Sequence, residues 1–312
     1  MPISVVIPAR SNSSHLKECL RSLKDQTLKA KEIIVVLDIS NAETVKIIKK
    51  YGARSVLDKN NTIGGAYDIG ARSARGDIVA FIDDDCVAPC DWIEKLEKEF
   101  EENVNIVGGE DLLPKNSTFF QEAVYQIDKA RMVKKPIYGE HARNRLRAAN
   151  VAYRKNIFSK DSFNPKLKGL QEPEFHYRLS KKNCKMKFNP NVFVYHKRRN
   201  SLHSIFYQIY RNGKAKIDLV KLHKGMLSFI DLMPFVFIIY SILMIYFSVA
   251  TPKLFFFVWI LSIIAYFLIK PLIIVMKTHG AKYYFHLIPI IFIREIAYAL
   301  GIITGFPKIF RK

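Results

Sequence analysis

Three consecutive carboxylates, Asp83, Asp84 and Asp85, follow directly on the apolar run Ile78 to Ile82. Acids crowded at the end of a buried segment repel one another unless a cation joins them. Oxygen donors of this kind suit Mg²⁺ or Mn²⁺, which leave coordination positions for substrate phosphates. The competing reading is a solvated turn, or a cap for the helix that begins near Asp91. A second acidic group, Gln171-Glu172-Pro173-Glu174, opens a helical segment. A carboxylate there can cap the helix, with Pro173 suited to the first turn. Asp38 follows another apolar run and can accept hydrogen bonds from a base or ribose, or cap a helix before Ala42.

These residues need a frame that brings loop ends together. Ile3–Ile7, Glu32–Leu37, Arg54–Leu57 and Asp77–Ile82 read as strands, separated by helical segments His15–Lys24, Ala42–Tyr51 and Ile63–Ala74. Strands alternating with helices at this spacing imply a parallel sheet covered on both faces, with ligands bound outside the carboxyl ends of the strands. Pro8–Ser14, Asp38–Asn41, Lys59–Gly64 and Asp83–Asp85 then lie at one edge. Gly64 and Gly65 open a helix whose N–H groups can face an anion. Neither a Walker A pattern nor GxGxxG occurs, so an ATPase or a dinucleotide-binding domain is not supported. Residues 104 to 109 read as a further strand ending in Gly108-Gly109, before Glu110 and Asp111.

The order Val5-Val6-Ile7-Pro8-Ala9-Arg10, then Ile33 to Asp38 with Ser40, then Gly76 to Asp85, with Trp92-Ile93 after it, resembles family 2 of the glycosyltransferases. The resemblance covers residues 2 to 215 and implies a GT-A fold, a nucleotide-diphosphate sugar donor and a DXD motif that holds Mg²⁺ or Mn²⁺ against the diphosphate. By position, Pro8, Arg10 and Asp38 would line the nucleotide pocket. Asp83 and Asp85 would be the outer members of the DXD, Asp85 the direct metal ligand, with Asp84 between them in the substrate site. Asn150, in Ala148-Ala149-Asn150-Val151, is similar to a family segment along donor sugar and acceptor; a buried, satisfied amide is the alternative. Glu172 falls on the family's base position and Glu174 on its second acid. His196 matches a histidine that completes the metal site, against a structural role. Gln208-Ile209-Tyr210-Arg211-Asn212 partly matches the QxxRW motif of processive synthases, with Asn212 in place of the tryptophan. Processive extension is therefore not expected, and Arg211 is left to meet a diphosphate or lipid phosphate. The single acid of Leu37-Asp38-Ile39-Ser40 departs from the paired acids usual in the family.

The formal charge is +21 and it is unevenly spread: residues 129 to 224 carry 25 Lys and Arg against 5 Asp and Glu. No nucleic-acid motif accompanies this excess. Basic residues beside a membrane attract anionic headgroups at about 1 kcal/mol each, so an anionic lipid surface is the expected partner. Phe229–Ala250 and Leu254–Met276 are each long enough to span a bilayer, which takes roughly 20 apolar residues. A third segment, Tyr283–Phe306, has the length but carries Pro289, Arg294 and Glu295, so it either spans or lies at the interface. Cys19, Cys86, Cys90 and Cys184 lack zinc-site spacing, and no disulfide is expected. The chain opens on a strand without a signal-peptide pattern, so the catalytic domain is expected in the cytoplasm.

The expected molecule is an α/β protein: a GT-A, Rossmann-like, mainly parallel catalytic domain over residues 1–224, with a nucleotide-sugar half (1–110) and an acceptor half (111–224), followed by a membrane domain over 225–312. The expected activity is inverting, metal-dependent transfer to a hydroxyl of a lipid-linked saccharide or glycolipid at the cytoplasmic face. The alternatives are transfer to polyprenyl or dolichyl phosphate, and a catalytically inactive membrane-anchored binding protein.

Overall fold

A computed structural model describes residues 1–9, 14–39, 41–59, 61–250 and 254–309, so Arg10 and Ser40 lie outside the described residues. The first hundred residues fold as β1 (Ile3–Ala9), α1 (Leu16–Lys24), β2 (Glu32–Leu37), α2 (Ala42–Lys50), β3 (Arg54–Leu57), α3 (Ile63–Ser73), β4 (Ile78–Ile82), β5 (Cys86–Val87) and α4 (Trp92–Glu99). They are followed by β6 (Ile106–Leu112), α5 (Phe119–Lys129), β7 (Ile137–Tyr138), α6 (Gly139–Arg143), β8 (Asn150–Arg154), α7 (Ile157–Lys160), α8 (Gln171–Ser180) and β9 (Met186–His196). The last stretch holds α9 (Leu202–Leu222), α10 (Phe229–Ala250), α11 (Leu254–Thr278) and α12 (Tyr284–Gly305).

β1 to β4 pair in parallel, as expected from their alternation with helices. Side chains alternate across these strands. Val5 and Ile7 pack with Leu16, Leu20 and Leu23 of α1, while Val6 and Val36 pack with Tyr67 and Ala71 of α3 on the other face. β1 continues through Pro8, opposite Val36, beyond Val6, its last residue in register with β4. The strand therefore runs two residues past the expected Ile7, and a proline is tolerated where the ladder is ending.

The sheet runs in the order β3-β2-β1-β4-β8-β6-β9-β5, with β7 also on β9. β8 lies antiparallel between β4 and β6, which makes the sheet mixed, though most of its pairings on the β1 side are parallel. β6 does not stop at its glycines: it carries Glu110 and Asp111 inside the strand, both buried. The glycines serve its neighbour instead. Between Gly108 and Glu110 the β6–β9 register shifts from Phe188 to Phe193, and a Cβ at Gly109 would lie 1.5 Å from the Val192 carbonyl oxygen. β9 bulges directly over Gly109, and such bulges re-aim the strand that follows.

Two compact units divide the chain: residues 1–116 with 132–197, and residues 117–131 with 198–312. The boundary falls at Lys197/Arg198 rather than near residue 224, because α9 belongs with α12. At Gly213 a Cβ would lie 2.6 Å from the Tyr298 carbonyl, and at Gly301 it would lie 2.3 Å from that of Tyr210. Backbones that approach this closely exclude any side chain at the crossing. In the same unit Asp231 of α10 receives the Tyr298 hydroxyl at 2.5 Å and pairs with Lys216 of α9 at 3.2 Å.

Asp231–Val249, Leu254–Thr278 and Ala281–Gly305 are each long and apolar enough to cross a membrane. The third segment is thus a continuous helix despite Pro289, and its Glu295 pairs with Lys270 of α11. All four cysteines are free.

Candidate active site

The carboxyl end of β4 turns at Asp83, where the backbone carbonyl accepts the Cys86 N–H at 3.1 Å. This tight turn sends the chain into β5, and β5 pairs with the end of β9 so that Cys86 lies opposite His196. The Lys197 N–H reaches the Asp85 carbonyl at 3.3 Å and fastens the turn from the other side. The acid triplet is therefore a partly exposed turn pinned from both sides, and it does not cap α4, which begins only after β5.

His196 lies between two carboxylates. Its Nε2 is 3.3 Å from Asp85 Oδ1 and its Nδ1 is 3.1 Å from Asp111 Oδ2. Asp111 gave no signal beyond an acid after two glycines; it reaches His196 because the β9 bulge places the last residues of β9 beside those of β6. Arg147 stands over this group, with Nη1 3.5 Å from each oxygen of Asp111.

Of the expected trio Asp83, Asp85 and His196, the structure brings Asp85 and His196 together, and the third ligand atom within 4.8 Å of both is Cys86 Sγ. Burial pushes the Cys86 thiol well up, so it stays protonated and unsuited to binding a hard cation. Asp83 is set differently: its Oδ1 accepts the Tyr67 hydroxyl at 3.0 Å. Burial raises the Asp83 carboxyl to about 7, with Asp85 and Glu172 adding to the rise and His196 and the Tyr67 hydrogen bond opposing it. An oxygen-rich set with one imidazole, holding acids that resist ionisation together, fits Mg²⁺ or Mn²⁺. Asp84 sits half-buried in the same turn.

Glu172 stands in the first turn of α8, which the chain enters through Leu170 at φ 55, a conformation that costs a bulky residue energy. Burial raises the Glu172 pKa, opposed by hydrogen bonds from its own N–H and that of Ala148 and by the charge of Arg147. Its Oε2 is buried and meets no hydrogen-bond partner among the described residues. Beneath it, Tyr153 and His176 share a buried 2.7 Å hydrogen bond.

Other expected positions come out differently. Glu174 is turned inward, with both oxygens held by Arg178 at 2.7 and 3.0 Å, so it is a structural partner and not a substrate ligand. Asn150 takes the satisfied-amide role. Its Oδ1 accepts Trp92 Nε1 and its Nδ2 donates to the Glu110 and Val192 carbonyls, each at 2.9 Å. It thereby clamps β6 to the bulge of β9. The Gly64 and Gly65 N–H groups donate to the Leu167 carbonyl and the Thr62 hydroxyl, at 2.9 and 3.0 Å, which leaves no anion site there. Asn41 caps α2, accepting from Glu43 and Thr44, which releases Asp38 from that role. Pro8 is buried at the end of β1. Arg211 belongs to the second unit, exposed on α9.

The chain is an α/β fold with an acidic site at the carboxyl end of its parallel strands, and known proteins share that fold. The model of glycosyl transferase family 2 matches residues 4–162, and the chain belongs to that family. A glucosyl-dolichyl phosphate glucuronosyltransferase from Haloferax volcanii is 29% identical over 176 residues, covering 51% of this chain and 54% of that protein. An uncharacterized glycosyltransferase of Bacillus subtilis, EpsJ, is 22% identical over 220 residues, covering 66% and 64%. The chain thus spans between half and two thirds of the length of these curated relatives. Among solved structures, the mannosyltransferase PcManGT from Pyrobaculum calidifontis, in complex with GDP-Man and Mn²⁺, superposes with a TM-score of 0.64 at 15% identity, over 96% of this chain and 86% of that one. Residues 1–349 of S. aureus TarS superpose with a TM-score of 0.50 at 16% identity, over 70% and 66%. The chain has the GT-A fold, followed by three C-terminal helices long and apolar enough to cross a membrane.

Proposed function

We propose that this enzyme transfers a sugar, with inversion, from a nucleotide-diphosphate sugar to a hydroxyl of a lipid-linked saccharide or glycolipid at the cytoplasmic face of a membrane. The observation that carries this reading is Glu172: a shielded carboxylate with raised pKa and an unpartnered Oε2, close enough to Asp83 for their charges to interact. Such a group is placed and tuned to accept a proton from an attacking hydroxyl. An ionised lipid phosphate needs no base, so a base in this condition favours a hydroxyl acceptor.

Asp85 and His196, with Asp83 and Asp111 behind them, would hold Mn²⁺ or Mg²⁺, which when bound supplies positive charge at the leaving diphosphate. Pro8 and Asp38, at the carboxyl ends of β1 and β2, would border the nucleotide. Arg147, beside both Asp111 and Glu172, would stand along the transferred sugar. The name of the H. volcanii relative, which joins a dolichyl-phosphate-linked sugar to glucuronosyl transfer, supports a lipid-linked saccharide as acceptor. The basic stretch and three apolar helices support action at an anionic, cytoplasmic surface.

The test is Glu172→Gln, assayed with each class of acceptor. Turnover onto the saccharide hydroxyl should fall about 10²- to 10⁴-fold while donor binding persists. Undiminished turnover onto a bare polyprenyl phosphate would replace the hydroxyl acceptor with the phosphate.

A further inference from the structure

Tyr67 is an aromatic residue on a core-facing helix, and its ring does pack in the core: it stacks on Phe81 at 4.7 Å and meets Phe163 edge-on at 5.2 Å. Its hydroxyl, however, is spent on the acid triplet. Phe81 belongs to β4, the strand that delivers Asp83, so the same strand fixes both the Tyr67 ring and the carboxylate its hydroxyl reaches. α3 can bring Tyr67 this close because Gly70 lies against β1 and β2, where a Cβ would meet a Val6 methyl at 2.5 Å. Gly64, at the helix start, lies where a Cβ would be 2.1 Å from the Asn164 carbonyl.

We infer that Tyr67 is a positioning residue of the proposed metal site: by holding Asp83 Oδ1 at 3.0 Å it fixes the orientation of that carboxylate beside Asp85 and His196. A phenol has one proton to donate, and an ionised carboxylate can only accept, so the hydrogen bond has one direction and favours the charged Asp83 that a cation needs. With Tyr67 99% buried, water has no ready path to replace the hydroxyl. The charge of Glu172 also reaches both Tyr67 and Asp83, so this hydroxyl stands among the groups of the donor side and the base alike. Partners one shell out from a metal ligand commonly change metal affinity by about 10- to 100-fold.

This inference rests on the proposed metal site, and the experiment separates the two. Mn²⁺ binding is followed by EPR on detergent-solubilised full-length protein for wild type, Tyr67→Phe, Asp83→Asn, Asp85→Ala and the Tyr67→Phe/Asp83→Asn double variant. Phenylalanine keeps the ring packing, and unchanged far-UV circular dichroism and gel-filtration elution establish the fold. We expect Asp85→Ala to abolish Mn²⁺ binding, Tyr67→Phe to weaken it at least tenfold, and the double variant to bind no more weakly than Asp83→Asn alone. Tyr67→Phe binding within twofold of wild type, or an equal loss in both Asp83 backgrounds, overturns the role of Tyr67 and leaves the metal site standing. Folded wild type that binds no Mn²⁺ overturns the metal site, and the role of Tyr67 with it.

Discussion

His196 presents Nδ1 to Asp111 at 3.1 Å and Nε2 to Asp85 at 3.3 Å, so one imidazole separates two acids. In the tautomer whose Nδ1–H donates to Asp111, the Nε2 lone pair faces Asp85 Oδ1, and a metal held by both would find the ring already oriented by Asp111. Asp111→Asn should raise the Mn²⁺ concentration giving half-maximal activity by about 10- to 100-fold, with little change in melting temperature. An unchanged Mn²⁺ dependence would reduce the Asp111–His196 contact to a structural one.

The raised pKa of Glu172 has a kinetic sign. The base acts only when ionised, so at saturating Mn²⁺ and donor kcat should rise with pH through a value above the ordinary carboxylate range, then level off. The residual activity of Glu172→Gln should lack this acid limb. The measurement is a kcat–pH profile of both proteins, and a shared limb would assign it to another group.

His176 predicts a pH dependence of stability. Burial, with the charge of Arg143 adding to it, lowers its pKa to about 3, from an ordinary value near 6.5. Between these values the unfolded chain takes up a proton that the folded protein refuses, so stability rises with pH across that window and falls on acidification, by about 1.4 kcal/mol per unit. Below about 3 both states are protonated and this loss is complete. Melting temperatures from pH 4 to 7 should show the slope, and His176→Phe should flatten it by removing the titrating ring.

Gly109→Ala should be among the most damaging single-methyl changes in the sheet. The added Cβ would overlap the Val192 carbonyl at 1.5 Å, and relieving it means undoing the β9 bulge, a cost of about 3 kcal/mol or more. Gly52→Ala is the control: φ is +72 but no atom of the described residues lies within 4 Å of the new Cβ, so the loss should be about 1 kcal/mol. Chemical denaturation of both variants compares them, and equal losses would make the bulge dispensable.

The parallel half of the sheet was legible because each of its elements is local: an apolar run, a polar loop, an amphipathic stretch. β2 and β3 fall on the expected residues, and the third apolar segment proved to be a helix. Asp83 and Asp85 stood out as acids at the end of an apolar run, and Glu172 through its likeness to the family's base position. What escaped was fixed by partners distant in the chain. The fate of Asn150 depended on the carbonyls of Glu110 and Val192, and that of Glu174 on Arg178 reaching back one turn. Gly108-Gly109 ended no strand, since the bulge that needs Gly109 bare comes some eighty residues later. Tyr67 was hidden because an aromatic ring on a helix facing a sheet reads as packing, and its hydroxyl adds no periodicity.

The glycine crossing of α9 and α12 has a consequence for how the chain is made. Gly213 and Gly301 are separated by more than eighty residues, and α5, which belongs to the same unit, is synthesised before β7, β8 and β9 exist. On the ribosome, every strand of the catalytic sheet is therefore available before α9 meets the helix it fits. The enzyme's sheet can close during translation, while α5 and α9 wait for the final helix to emerge.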